Sequence, residues 1–565
     1  MNDIAKTGAF VGVAAVLTVL ATMVGPKPKS LELFHDEGQL FFPDFKDAAA
    51  ATELEVIEFR EAAGAAYPFV VKRDDKGRWT IPSHSNYPAD AKDRMGKAAA
   101  LLIGLEKSAV QGDEKGRHVD YGVVDPLDPS ADSKGRGTRM KLKDSAGNVL
   151  ADLVIGKAVD GKPDWHYVRL PDKKRVYRTK LGGEVSTKFA DWIETDLLKA
   201  TAWDIDKVTF DNYSVDEQKG SVEPGEKYVV HKDETGKWSF DGLDASKEEA
   251  NADKLREIGD TLGKVKIVGV RPKPDGLTAR LEKANGFDFQ VLAQSLAAKG
   301  FFLGRGGQMF SNEGDLLFET KKGVRYTLRF GELVLGDGDE VSAGAEPKPT
   351  APGKPADAPK QDKPANNRYL MVTAEFDPAL LKKPTGEHLS KEQLDKRAEA
   401  RREIEAIQRA VEAFRGKHEN QLPDSLARLT EKPAEGDAPL AELKKDPWGT
   451  DYQLEVQGTT YAVLSWAEGG TADGDGAAID IRSDRLPLED ELARQATEWT
   501  EYERKVADGQ KEAESLTKRF GPWYYVIDQE LFAKLKPKRA DLVKPKSEAP
   551  AETPAGPGGA TEPGK

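Results

Sequence analysis

The 565-residue chain carries 84 lysines and arginines against 97 acidic residues, a formal charge of −13, with 38% apolar and 32% charged residues. This balance suits globular domains with charged surfaces and offers no footprint for nucleic acid or anionic lipid, and at roughly 150 residues per domain the length predicts three or four folded units. With no cysteine in the chain, disulfides, thiolate nucleophiles, zinc fingers and iron–sulfur ligation are excluded.

The first element is apolar. No charge occurs from Thr7 to Pro26, and about 20 residues at 1.5 Å rise span a hydrocarbon core of about 30 Å. A membrane anchor is therefore expected over 1–30. A cleaved signal peptide ending near Val19-Leu20-Ala21 is the competing reading, but the apolar run continues past that site. Lys6 on one side faces Lys27 and Lys29 on the other, so the charge bias is weak. The long domains that follow can translocate regardless, which predicts a single-pass protein of the cell membrane with its bulk in the periplasm.

Next comes a repeat. Phe69-Val-Val-Lys-Arg-Asp-Asp-Lys-Gly-Arg-Trp79 recurs as Tyr228-Val-Val-His-Lys-Asp-Glu-Thr-Gly-Lys-Trp238, at an offset of 159. Each copy reads as a strand, a glycine turn and a second strand. A helical pattern follows each one, through Ala98, Leu101, Leu102 and Leu105 and through Leu255, Ile258 and Leu262. Further on, Asp152–Gly156 resembles Tyr326–Gly331, each a strand ending in a glycine turn. Trp165-His-Tyr-Val168 then resembles Trp523-Tyr-Tyr-Val526, and Thr195-Asp-Leu-Leu198 resembles Ala540-Asp-Leu-Val543. Between the glycine and tryptophan landmarks the first copy has 8 residues and the second 191, so insertions split the second copy. One is a tract over 343–366 with six prolines, predicted to be a disordered loop. The other is bracketed by charged helices near 389–415 and 488–518, read as a hairpin carrying a small domain. On the second helix Trp499, Tyr502 and Val506 form a narrow apolar stripe suited to packing on the first. The Pro/Ala/Gly/Glu tail after 544 is predicted to be disordered.

These residues carry two family resemblances. The strand–Gly–Trp unit, its helix, Ile155-Gly156-Lys157 and Trp165…Tyr167-Val168 resemble the domain of unknown function family 4340, over 33–335, 367–390 and 519–543. That resemblance implies an N-terminal anchor and an extracytoplasmic αβ domain, in some members associated with gliding-type ABC transport auxiliary proteins and with no established catalytic residues. In the insert, Leu422-Pro-Asp-Ser-Leu426, Lys445-Asp-Pro-Trp-Gly-Thr-Asp-Tyr452 and Tyr461-Ala-Val-Leu-Ser465 resemble type II secretion protein G, the major pseudopilin, over about 400–483. The helix through Ile404, Ile407, Val411 and Phe414 matches that family's helix leading into a three-stranded sheet. The insert lacks the family's apolar N-terminal helix and follows Arg401-Arg402 instead. The pseudopilin loop binds calcium through aspartates and backbone carbonyls. The resemblance carries this over to Asp473, Asp475 and Asp480, although Gly469 falls where the family usually has aspartate. The alternative is a solvated Gly/Asp turn.

The fold class expected is thus α+β. An N-terminal transmembrane helix precedes two related units of mainly antiparallel sheet plus helices, over 31–215 and 216–390. A helix and pseudopilin-like αβ domain on a helical hairpin follow over 391–487, then a charged helix and closing strand over 488–543 and a tail over 544–565. No other motif carries chemistry. Among the seven histidines, His35, His84, His118, His166, His231, His388 and His418, no two stand four apart as zinc ligands on one helix would. Asp446-Pro-Trp-Gly449 reads as a structural turn. Gly304-Arg-Gly-Gly307, Gly135-Arg-Gly137 and Gly156-Lys157 lack nucleotide-binding spacing. The function expected is non-enzymatic: a membrane-held accessory subunit binding other envelope proteins in an ABC transport or gliding-type complex, with no nucleic acid and no small-molecule substrate. A pseudopilus-related secretion component is the first rival, and an enzyme acting on envelope polysaccharide the second.

Overall fold

The computed structural model describes residues 3–24, 36–274, 277, 287–304, 307–335 and 366–546, apart from Ala62, Thr195, Glu234 and Ala245. The proline tract expected as a loop over 343–366 lies outside the described residues except for Asn366, as does the tail from 547. The tail boundary itself moves. Val543–Pro545 is a strand pairing with Glu248–Ala250, so the chain stays ordered past 544.

A helix spans Asp3–Val24, with its side chains described over 7–18. Among the described residues no helix is long and apolar enough to cross a membrane, so the fold lends the transmembrane expectation no support.

Two large antiparallel sheets follow, in a mixed α+β architecture. The first orders its nine strands as Tyr87–Pro88, Trp79–Ile81, Ala65–Arg73, Glu53–Arg60, Thr138–Lys143, Val149–Val159, Lys162–Arg169, Val176–Lys180 and Ala109–Gly112. Alternation sets its faces. Leu54, Val56, Met140 and Leu142 turn into the core, while the intervening positions carry charge. That outer face is neutralised in rows: Glu53 meets Lys72 at 3.0 Å and Lys143 at 2.6 Å, and Arg139 meets Asp152 at 2.7 Å.

The second sheet orders eight strands as Trp238–Phe240, Lys227–Lys232, Ile205–Asp211, Asp315–Thr320, Val324–Val334, Asn367–Phe376, Trp523–Asp528 and Gly269–Pro272. It follows the same chain path. Arg73 pairs with Trp79 as Lys232 pairs with Trp238. The intervening turns are alike: Asp74 accepts from the amides of Lys76 and Arg78, and Asp233 from those of Thr235 and Lys237. The turn glycines, Gly77 at φ 77° and Gly236 at φ 80°, lie in the left-handed region that glycine enters without steric cost. Helices Lys92–Leu102 and Ala252–Leu262 then bury Ala98 and Leu102, and Leu255, Ile258 and Leu262, in one shared core.

Two landmarks are corrected. Gly156 and Gly331 are not terminal turns but lie inside Val149–Val159 and Val324–Val334, each at a register shift (Ile155/Ala158 and Phe330/Leu333). A Cβ on either would collide with a backbone carbonyl, that of Tyr121 at the end of helix His118–Tyr121 or that of Lys299 in the turn after helix Phe287–Ala297. Trp165–Val168 is not the spatial counterpart of Trp523–Val526. The place of Lys162–Arg169 is taken by Asn367–Phe376, and Trp523–Asp528 takes that of Val176–Lys180. An aromatic–valine pattern marks any buried strand, and spatial order decides between them.

The insert therefore enters between the Asn367–Phe376 and Trp523–Asp528 strands. Helix Lys391–Lys417 opens with a capping box, Ser390 with Gln393. It buries Ala400, Ile404, Ile407, Val411 and Phe414 against the three-stranded sheet Gln453–Gln457, Thr460–Ser465 and Ile481–Arg482. This is a core separate from the main one. The 35-residue helix Leu486–Phe520 returns across the second sheet, burying Ala513, Leu516 and Phe520 in the main core. The expected hairpin is corrected. Trp499 stacks near His388 at 4.8 Å and donates to the Gly386 carbonyl at 3.3 Å, so the apolar stripe packs on the segment before the Lys391–Lys417 helix rather than on the helix itself. The two helices meet instead near their N-terminal ends, where Leu394 and Leu488 join Leu389, Leu492 and Ala496.

Candidate functional site

The loop joining the last two strands of the small sheet holds the predicted metal residues. Its start is anchored by Asp446, 4% exposed. One carboxylate oxygen accepts from the Trp448 and Thr450 amides, closing the Asp446–Gly449 turn. The other accepts from Ser465 Oγ at 2.6 Å, and Ser465 Oγ in turn accepts from the Ala467 amide. The loop then folds on itself. Asp473 sits at φ 61°, and Gly474 presses on the Ala478 carbonyl where no Cβ fits. Of the three predicted ligands the structure joins two: the Asp473 amide donates to Asp480 Oδ2 at 3.3 Å. Asp475 takes no part in that bond. Among the described residues no three His, Asp or Glu side chains come together to hold a metal.

The loop is gripped from outside by Arg397. Its Nη1 donates to the carbonyls of Ala477 at 3.0 Å and Ile479 at 2.9 Å, while Nε and Nη2 form a fork on Glu489 at 2.9 and 2.6 Å. Arg397 is 2% exposed and Glu489 8%. Calcium requires six to eight oxygens, several of them carboxylates and carbonyls. Here the buried Asp480 Oδ1 has no hydrogen-bond partner, while the Asp473 and Asp475 side chains are exposed and do not join it in a cluster of three. The Ala477 and Ile479 carbonyls of the same loop already accept from the Arg397 guanidinium. The donor set does not fit calcium at Asp473, Asp475 and Asp480.

The reading of 389–415 as a charged helix does not single out Arg397. The signal was present: Arg397, Ala400, Ile404, Ile407, Val411 and Phe414 step by three and four along one helix stripe, all buried, so the arginine occupies a core position.

Among the described residues four other histidines and a buried lysine have partners, while the buried His166 Nδ1 has no hydrogen-bond partner. His231 Nδ1 lies 2.6 Å from Asp241, and His388 Nε2 lies 3.0 Å from Glu503. His118 Nε2 is 2.8 Å from the Lys174 carbonyl, and His418 stacks on Phe414. Lys273, lowered to about 8 by burial, donates to the Phe520 carbonyl at 3.3 Å. A cleft of about 480 Å³ between the two sheets is lined by Asp90 and Glu194 on one side and by Lys518, Arg519 and Trp523 on the other. Glu194 is held below the ordinary carboxylate range by hydrogen bonds from Lys199 and Arg519, which makes this cleft an ion-paired seam. Another cleft, of about 680 Å³, lies open between Leu380–Thr385 and the long helix, lined with mixed charge including Asp206, Lys321, Glu498 and Lys505.

Two families match the chain. The one described as Domain of unknown function (DUF4340) matches residues 79–284, running from Trp79 in the first sheet past the Gly269–Pro272 strand of the second. The one described as Type II secretion system (T2SS), protein G matches residues 388–484, the helix and three strands of the small domain. Both are the families that the sequence motifs resemble. No curated protein matches the chain.

Proposed function

From a chain that joins a DUF4340 region to a T2SS protein G-like region, we propose a membrane-anchored, extracytoplasmic binding protein. In this reading the N-terminal helix holds it at the bilayer. The two-sheet body and the small domain dock other envelope proteins as an accessory subunit of an ABC transport or gliding-type complex. No described helix qualifies as a membrane span, and the observation that carries the proposal is the apolar surface the N-terminal helix leaves exposed. Phe10, Val11, Val13, Val16 and Leu17 are each 57–78% exposed, at positions that surround the helix. Each would gain roughly 1.5–3 kcal/mol by leaving water. The uncharged run extends beyond these side chains to Pro26.

The test is fractionation of the full chain against a variant lacking residues 3–24, followed by co-purification in mild detergent. The full chain is expected in carbonate-resistant membranes with an envelope protein attached, and the variant in the soluble fraction. A full chain released by carbonate, or recovered without any partner above background, overturns the reading.

The T2SS protein G-like match favours a second reading, a pseudopilus-related component. Against it, the small domain's helix begins at a polar capping box, Ser390 with Gln393, and carries Lys391 and Glu392 in its first turn where a pseudopilin continues as an apolar helix. Crosslinks from residues 388–484 to secretion pseudopilins would establish this reading, and crosslinks to a permease complex would establish the first.

A further inference from the structure

We infer that the cation organising the 476–480 loop is the guanidinium of Arg397, and that this joint, built without metal, locks the small domain onto the long helix. Three segments converge there. Arg397 comes from the Lys391–Lys417 helix, Glu489 from the first turns of Leu486–Phe520, and the Ala477 and Ile479 carbonyls from the loop between them. Four donor–acceptor pairs satisfy one side chain, in the planar fork geometry that arginine presents and a lysine ammonium cannot. Both charged side chains are buried, and the same segments supply an apolar cluster of Leu389, Leu492 and Ala496, with Leu394, Ala477 and Leu488 packed against it. Exclusion of water there strengthens each bond and makes an unpaired partner costly.

The consequence concerns ligand chemistry. A loop whose carbonyls already solvate a fixed positive charge has no call for calcium, and Asp480 Oδ1 alone cannot supply a coordination shell. The small domain is thereby insensitive to the metal. Its direction relative to the second sheet is set by Arg397 and Glu489 whether or not divalent ions are present.

Hydrogen exchange on the full chain, with excess calcium or with chelator, tests this. In the native protein the amides of 476–482 are expected to exchange at the same rate in both. Arg397→Met should speed their exchange by about 100-fold or more, with no rescue by calcium. Because that variant leaves Glu489 buried and unpaired, the double variant Arg397→Met/Glu489→Met is measured beside it. Replacing both charges restores the melting temperature, while the loop amides stay fast because the Ala477 and Ile479 carbonyls have lost the donor that held the loop. Calcium-induced protection of the native loop that Asp480→Asn abolishes would overturn the inference, as would unchanged protection in either Arg397 variant.

Discussion

His84 is 2% exposed, its ring stacked on Phe189 at 4.6 Å and its Nδ1 3.0 Å from Ser83 Oγ. Burial, and then the charge of Arg271, push its pKa from 6.5 down to about 4. The native state therefore resists a proton that the unfolded chain accepts. Stability is complete above the unfolded pKa and falls as pH drops from about 6.5 to about 4, by up to roughly 3 kcal/mol. His84→Phe keeps the stack and removes the titration, so its acid limb in a urea-midpoint profile should be flatter than that of the native protein. An unchanged slope would place the acid sensitivity elsewhere. At this scale Asp446 was legible, because a turn of Asp, Pro and Gly is specified by neighbours in sequence. The core position of Arg397 is legible in its helix stripe but its partners are not, because Glu489, Ala477 and Ile479 lie 80 to 92 positions away.

Within single elements, the bulge glycines show why a short motif survives in both sheets. Gly156 and Gly331 let a strand pass against a backbone carbonyl, that of Tyr121 at a helix end in one case and that of Lys299 in the turn after a helix in the other. Gly156→Ala or Gly331→Ala should therefore cost about 1–3 kcal/mol. Gly112→Ala, also in a strand but with open space around its Cβ, should stay within about 0.5 kcal/mol. Chemical denaturation of the three variants checks the contrast, and equal effects would refute the steric argument. The repeated strand–turn–strand at an offset of 159 was legible because its Asx turn and glycine are local chemistry. The equivalence of later strands was not. Asn367–Phe376 and Trp523–Asp528 both read as buried strands, and ladder partners distant in sequence determine which is which. The long helix was legible as a helix, but the partner of its Trp499 stripe was not.

Across the molecule, the two sheets share one continuous core while the small domain has its own. The seam is made by Trp523 edge-on to Tyr87 at 5.0 Å and by Arg519, which pairs with Glu194 at 2.7 Å and donates to the Leu197 and Asp196 carbonyls. Calorimetry of the full chain should accordingly give one transition for both sheets and a second for the small domain. Trp523→Ala should lower the first by about 3–5 kcal/mol and leave the second in place. Separate melting of the two sheets would show that the core is shared in space but not in energy.

The periodicities, turn residues and glycine positions by themselves determined the α+β class, the repeated hairpin-and-helix, the small domain's helix and strands, and both family matches, since each of these rests on contacts between near neighbours. Tertiary structure alone decided strand order, the point where the insert enters, the partner of each helix stripe and the ion that grips the 476–480 loop. Those features join residues far apart in the chain, and a linear pattern records that a side chain wants burial or pairing without recording against what.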